Sequence, residues 1–238
     1  MDLDTIAGRL EAMEDSIIFK LLNRAQYRQN RPAYEKGASG FPEQSLFEAR
    51  LRRQEELDAE FGKFTVPEER PFTINLPEPK RRGALREVIY LSDFDSVNLT
   101  GMIRPAYLEL VQDMCREGDD GHYGSSVEHD VEALRAISER IHFGAVYVAE
   151  CKFQMEPDTY SLLIQDCDTA KLVEKLSRSE VEQAILRRVA WKMQQFQNGA
   201  NQKVRHVVDP EIIIAFYRDH IIPLTKNGEL QYLYHRTG

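Results

Sequence analysis

Apolar positions recur at three- and four-residue spacing over most of this chain. Leu3, Ile6, Leu10, Met13, Ile17 and Leu21 form one stripe, which predicts an amphipathic helix over residues 2–30. Arg31-Pro32 and the stretch from Gly37 to Pro42 end it in a loop. Leu46, Phe47, Leu51, Leu57 and Phe61 predict a second helix over 43–61, its many charges reading as a solvated face. The periodicity then fails over residues 62–101, which Pro67, Pro71, Pro77, Pro79 and Gly83 interrupt. Val88-Ile89-Tyr90-Leu91 could form a short strand there, with no evident partner.

Helical spacing returns at 104–117 and stops at the turn Gly118-Asp119-Asp120-Gly121. A long helix is expected over 125–155, then Glu156-Pro157-Asp158 as punctuation, then short helices at 158–166 and 168–176. Ser179 with Glu182 three residues later reads as a capping box opening a helix to Phe196. Asn198-Gly199-Ala200-Asn201 reads as a loop. Asp209-Pro210 starts the next helix, Asp as cap and Pro at its first position. Pro223 bends or restarts the chain before a last stretch at 224–236, which Gly228 should weaken by roughly 1 kcal/mol relative to alanine. Strand alternation is nearly absent. The expected fold class is all-α, a helical bundle around one long central helix in a single domain spanning 1–238.

Composition narrows the function. A net charge of −8 argues against a general nucleic-acid binder, yet allows a local cationic pocket. The basic cluster Lys80-Arg81-Arg82 is short enough to be a surface loop. No apolar run is long enough for a membrane span, and the acidic, amphipathic N-terminus is unlike a targeting peptide. Cys115, Cys151 and Cys167, without CxxC spacing, suit reduced thiols in the cytoplasm. The Asn98-Leu99-Thr100 sequon then carries no meaning.

The six histidines show no HxxxH spacing, so no metal site is expected. Glycine-rich phosphate loops and GxSxG are absent, and Trp191 with the other aromatics reads as core. What remains is a set of polar residues on helices: Arg140, Lys152, Glu182, Thr225 and Glu229. Thr225 and Glu229, four apart, share a helix face. The residues alone support a helical protein in which an anion could sit near Arg140 and Lys152.

Several longer stretches are familiar together. Met13-Glu14-Asp15-Ser16-Ile17-Ile18-Phe19-Lys20 resembles the first helix of the eukaryotic-type, allosteric chorismate mutases. Arg140-Ile141-His142-Phe143-Gly144, Ala149-Glu150 and Lys152-Phe153 resemble their long central helix, and Ile221-Ile222-Pro223-Leu224-Thr225-Lys226 with Glu229 and Tyr232-Leu233 their last. The resemblance covers nearly the whole chain in order and is weakest between 75 and 120. It implies an all-helical enzyme, usually a homodimer, that rearranges chorismate to prephenate without a cofactor on the route to phenylalanine and tyrosine. Arg140 would bind a carboxylate, and Lys152 a carboxylate and the ether oxygen. Glu182 would accept from the ring hydroxyl, Thr225 would support the ring carboxylate, and a protonated Glu229 would bond the ether oxygen. Gly124 and Ser125 match part of the family's amino-acid regulatory site. The alternative is a chorismate-mutase-like protein with altered or lost activity, binding a related carboxylate ligand or serving as a helical partner.

Three departures from the family pattern bear on the site. A substrate-binding arginine of the first helix is replaced by Ala7, with Arg9 two residues on and about 200° around the helix, so Arg9 could substitute only if the helix start is rewound. Arg140 and Lys152 are twelve residues apart where the family has eleven, which on an ideal helix separates them by about 120°, so either a π-bulge between them absorbs the extra residue or Lys152 leaves the pocket. Arg178 stands where the family usually has asparagine and could supply the missing cation. The family's paired regulatory arginines are here Gly62-Lys63, which makes amino-acid regulation through Lys63 an open question.

Overall fold

A computed structural model describes residues 2–81, 89–198 and 204–237. Ten α-helices account for most of them, and among the described residues the only β pairing is one isolated antiparallel bridge between Leu91 and Arg236. The all-α expectation holds. No helix of the described residues is long and apolar enough to cross a membrane. Val88, Arg82, Gly83 and the loop residues Gly199, Ala200 and Asn201 lie outside the described residues.

Helix α1 (Leu3–Arg24) starts on Asp2, whose side chain accepts from the Thr5 N–H. It ends earlier than the apolar stripe suggests because Arg24 turns inward. The buried guanidinium bonds Asp130 at 2.7 Å, the Tyr34 hydroxyl at 2.9 Å and the carbonyls of Arg28 and Gln29, so it closes the turn after the helix. Helix α2 (Leu46–Glu60) opens on a full capping box, Ser45 with Glu48. The Ser179–Glu182 pair makes no such opening: Ser179 is already the first helical residue of α8 (Ser179–Asn198). Helix α3 (Thr100–Met114) begins before its Pro105, earlier than expected.

The long central helix runs from α4 (Tyr123–Phe143) through a π-turn (Gly144–Val148) into α5 (Ala149–Met155). It is flanked by α1 and α2, and α10 (Ile222–His235) packs along the π-turn. Two short helices follow α5: α6 (Pro157–Gln165), with proline at its start, and α7 (Thr169–Leu176), capped by Asp168. Helix α9 (Pro210–Phe216) starts on Asp209 and Pro210 as expected, and continues into α10 through a second π-turn, Tyr217–Ile221. Pro223 therefore sits just after a widened turn, where its missing N–H and bulky ring are accommodated without a break.

Two apolar clusters fill the interior. One joins α1, α3 and the first part of α4; the other joins the π-turn, α6, α7 and the end of α10. Trp191 belongs to neither core: it is 60% exposed on α8. Leu91 and Tyr90 find their partner at the far end of the chain, since Thr237 N–H donates to the Tyr90 carbonyl at 2.8 Å. Beside that bridge, Arg236 stacks on the Tyr90 and Phe153 rings and pairs with buried Glu150 at 2.7 Å, fastening the C-terminal segment to α5. Of the basic cluster, Lys80 pairs with Glu60 on the surface.

Candidate active site

The π-turn decides where Arg140 and Lys152 point. A π-turn holds one residue more than an α-turn, so it absorbs the extra residue between them and restores a common face. Both side chains line one cavity of about 350 Å³, together with Thr225, Glu229, Glu182 and Arg178. The π-turn itself is fixed by α10. A Cβ on Gly144 would lie 2.8 Å from the Thr225 methyl, and one on Gly228 would lie 2.5 Å from the Ala145 Cβ. Gly228 is thus a close-packing residue that lets α10 approach the central helix, rather than a simple weakness in it.

Across this contact the polar groups pair. Arg140 Nη1 donates to the Thr225 hydroxyl at 3.1 Å, which itself donates to the Ile221 carbonyl at 2.7 Å. Arg140 is 2% exposed and its Nε has no hydrogen-bond partner among the described residues. Burial pulls its pKa down. Lys152 Nζ donates to Glu229 Oε2 at 2.7 Å and to the Leu176 carbonyl at 2.9 Å. Burial pushes the Glu229 carboxyl pKa above the ordinary range, and the neighbouring Lys152 ammonium offsets part of that rise. Such a group keeps its proton to higher pH than an exposed carboxyl does, and when protonated it can donate a hydrogen bond.

Glu182, half-buried on the first turn of α8, pairs with Lys226 of α10 at 2.6 Å. Lys226 lines the same cavity. It was missed among the candidates because nothing in its spacing separates it from a surface lysine; only the packing of α10 against α8 brings it in. The cavity is therefore edged by four cations, Arg140, Lys152, Arg178 and Lys226, and by Asp4, Glu182 and Glu229.

Arg9 is the residue that the structure leaves out. Helix α1 runs regularly from its Asp2 cap, with no rewinding, and presents Ala7 and Leu10 to the cavity. Arg9 is exposed, its guanidinium 5.8 Å from the centre of the Phe143 ring. Arg9 therefore does not line the cavity from α1. The regulatory candidates also lie apart within one chain. Gly124 and Ser125 are in the first turn of α4, whereas Lys63 pairs with Glu69 at 3.3 Å and sits in a cleft with Glu139. The rise between Ser125 and Glu139 on α4 is about 21 Å.

No family model matches the chain. Curated relatives do. A chloroplastic chorismate mutase 1 of Petunia hybrida is 36% identical over 248 residues, covering 98% of this chain and 75% of that protein. A cytosolic chorismate mutase 2 of Zea mays is 33% identical over 245 residues, covering 99% and 96%. Among solved structures, the Candida albicans chorismate mutase in complex with L-tryptophan superposes with a TM-score of 0.91 at 34% identity, covering 99% of this chain and 91% of that one. AtCM1 with phenylalanine in its allosteric site gives 0.89 at 36% identity, covering 99% and 96%. Fold, cavity and relatives together define an all-helical isomerase. The chain belongs to the eukaryotic-type chorismate mutase family, whose reaction is the rearrangement of chorismate to prephenate.

Proposed function

We propose that the Arg140–Lys152 cavity is where this chain binds and rearranges chorismate, in the cytoplasm and as a homodimer, on the route to phenylalanine and tyrosine. The observation that carries this assignment is the joint placement of Arg140 with Thr225 and of Lys152 with Glu229 in one cavity of about 350 Å³. The cytosolic maize relative and the free Cys115, Cys151 and Cys167 support the compartment.

Chorismate is a dianion, and the reaction breaks its ether C–O bond as a C–C bond forms within the same molecule. No proton or electron need enter or leave. The residues then have two tasks: to hold the compact, reactive conformer and to stabilise negative charge growing on the ether oxygen. Arg140, with an unpartnered Nε and a forked geometry, grips one carboxylate. Thr225 orients Arg140 and the carboxylate beside it. Lys152 serves a carboxylate and the ether oxygen, and protonated Glu229 donates to that oxygen from the other side. Arg178 supplies the cation missing at Ala7. Glu182, held by Lys226, accepts from the ring hydroxyl. Regulation by an aromatic amino acid would need Gly124 and Ser125 of one protomer to meet Lys63 of another, since one chain keeps them apart.

The test is direct. Purified protein mixed with chorismate should consume it, followed by the fall in chorismate absorbance, and Arg140→Ala should abolish the loss. Light scattering should give twice the chain mass. No chorismate loss at high protein concentration would instead favour a role in binding a related carboxylate ligand.

A further inference from the structure

The chemistry proposed above asks the Lys152–Glu229 ion pair to come apart. In the free protein this pair joins α5 to α10 across 2.7 Å. Once Glu229 carries a proton and Lys152 turns a donor to the substrate, the attraction between two full charges is gone, although both side chains stay buried. Close contacts at Thr225 and Gly228 secure the earlier part of α10. The part after Glu229 then needs another hold on α5.

A second connection lies beside the ion pair. Glu150 stands two residues before Lys152, about 3 Å along α5. Tyr232 stands three residues after Glu229 and shares its face of α10. The Tyr232 hydroxyl donates to Glu150 Oε2 at 2.6 Å. Arg236, directly after α10, donates from Nε to the same oxygen at 2.7 Å and from Nη2 to Oε1 at 3.2 Å, a forked grip on the carboxylate. Its guanidinium also lies 3.8 Å from the centre of the Phe153 ring on α5 and 4.3 Å from that of Tyr90. Gln154 of α5 adds a bond to Glu150 Oε1 at 2.8 Å. Glu150 and Tyr232 are buried, and none of Glu150, Tyr232 and Arg236 lines the active-site cavity, so a bound substrate does not compete for these bonds.

We propose that Glu150, Tyr232 and Arg236 are positioning residues for the rearrangement: they clasp α10 to α5 while the Lys152–Glu229 ion pair is given up to the substrate. This rests on the chorismate assignment. The clasp and the ion pair are then redundant in the free protein, and the clasp alone keeps Glu229 opposite Lys152 as the ether bond breaks.

The experiment is a mutant series on the full chain, read in two ways. Thermal unfolding of wild type, R236A, E229Q and R236A/E229Q needs no turnover. E229Q puts a neutral group in place of the carboxylate, as protonation does, so R236A should lower the melting temperature more in the E229Q background than in wild type. Steady-state kinetics with chorismate then compares wild type with R236A, R236K and the milder Y232F. R236A should lower kcat about tenfold with KM within about twofold, and Y232F should do so to a smaller degree. R236K, which keeps the charge but not the fork, should recover part of the loss. A group that merely stabilised the fold would lower the melting temperature and leave the kcat of the folded protein unchanged. Additive melting shifts, or unchanged kcat in folded R236A and Y232F, would overturn the proposal. Absence of turnover in wild type would refute the chorismate assignment and the positioning role with it, a failure the melting series separates because it reads the clasp without substrate.

Discussion

Gly228 faces Ala145 so closely that a methyl group on it would lie 2.5 Å from the Ala145 Cβ and 2.8 Å from a Leu99 methyl. This contact sets the separation between α10 and the central helix, and with it the distances from Thr225 to Arg140 and from Glu229 to Lys152. Helix propensity alone favours Gly228→Ala by about 1 kcal/mol. Overpacking against a buried Cβ costs about 1–3 kcal/mol and opposes it. We expect G228A to unfold at lower urea concentration than wild type and to lose kcat, because α10 must shift outward. A variant at least as stable as wild type, with unchanged kcat, would contradict this account of the contact.

Glu229 makes the pH dependence. Burial raises its carboxyl pKa, and the proposed mechanism uses the protonated form. The sign follows: kcat should be highest on the acid side and fall as pH rises through the raised pKa. Glu229→Gln keeps a donor that does not titrate, so its kcat should lose that decline. Profiles of kcat from about pH 5 to pH 9 for both proteins decide it, and a flat wild-type profile would remove Glu229 from the donor role.

Arg178 and Arg9 should separate cleanly. Arg178→Ala removes a cation from the cavity wall and should lower kcat/KM by about 10- to 100-fold, the worth of a charged hydrogen bond. Arg9→Ala trims an exposed side chain on another face of α1 and should leave kcat/KM within about twofold, since such surface changes cost little. The reverse ranking would mean that α1 rewinds when substrate binds.

His142 links stability to pH. The Leu99 N–H donates to its Nε2 at 3.0 Å, so Nδ1 carries the proton and donates to the Ser138 carbonyl at 2.8 Å. Burial pulls its pKa down to about 4. Between about pH 6.5 and pH 4 the unfolded chain therefore binds more protons than the folded one, and stability falls as pH falls through that window. The loss should reach about 3 kcal/mol at the acid end. Urea unfolding at several pH values should show wild type losing more stability than His142→Asn as pH falls through this window, with His142→Asn less stable at neutral pH.

Much of the architecture was legible along the chain. Asp209-Pro210 announced a helix start, Gly118 to Gly121 a turn, and the stripe from Leu3 to Leu21 a buried face, because capping and amphipathic spacing act within a few residues. The twelve-residue spacing of Arg140 and Lys152, set against the family's eleven, left a π-turn or a displaced Lys152, and the structure has the π-turn. Other features were hidden. The early end of α1 comes from Arg24 reaching Asp130 on α4, and the partner of Leu91 is Arg236 at the opposite end of the chain. Trp191 faces solvent although its type suggests core.

The amino-acid sequence by itself determined that the chain is helical, and it offered Arg140, Lys152, Glu182, Thr225 and Glu229 as candidate polar residues on those helices. Local propensity, spacing and residue type are properties of the chain alone. Only the tertiary structure decided which cations meet in one cavity. Arg178 and Lys226 join it and Arg9 does not, because helix rotation and the close approach permitted by Gly144 and Gly228 are set by packing between helices far apart in the chain.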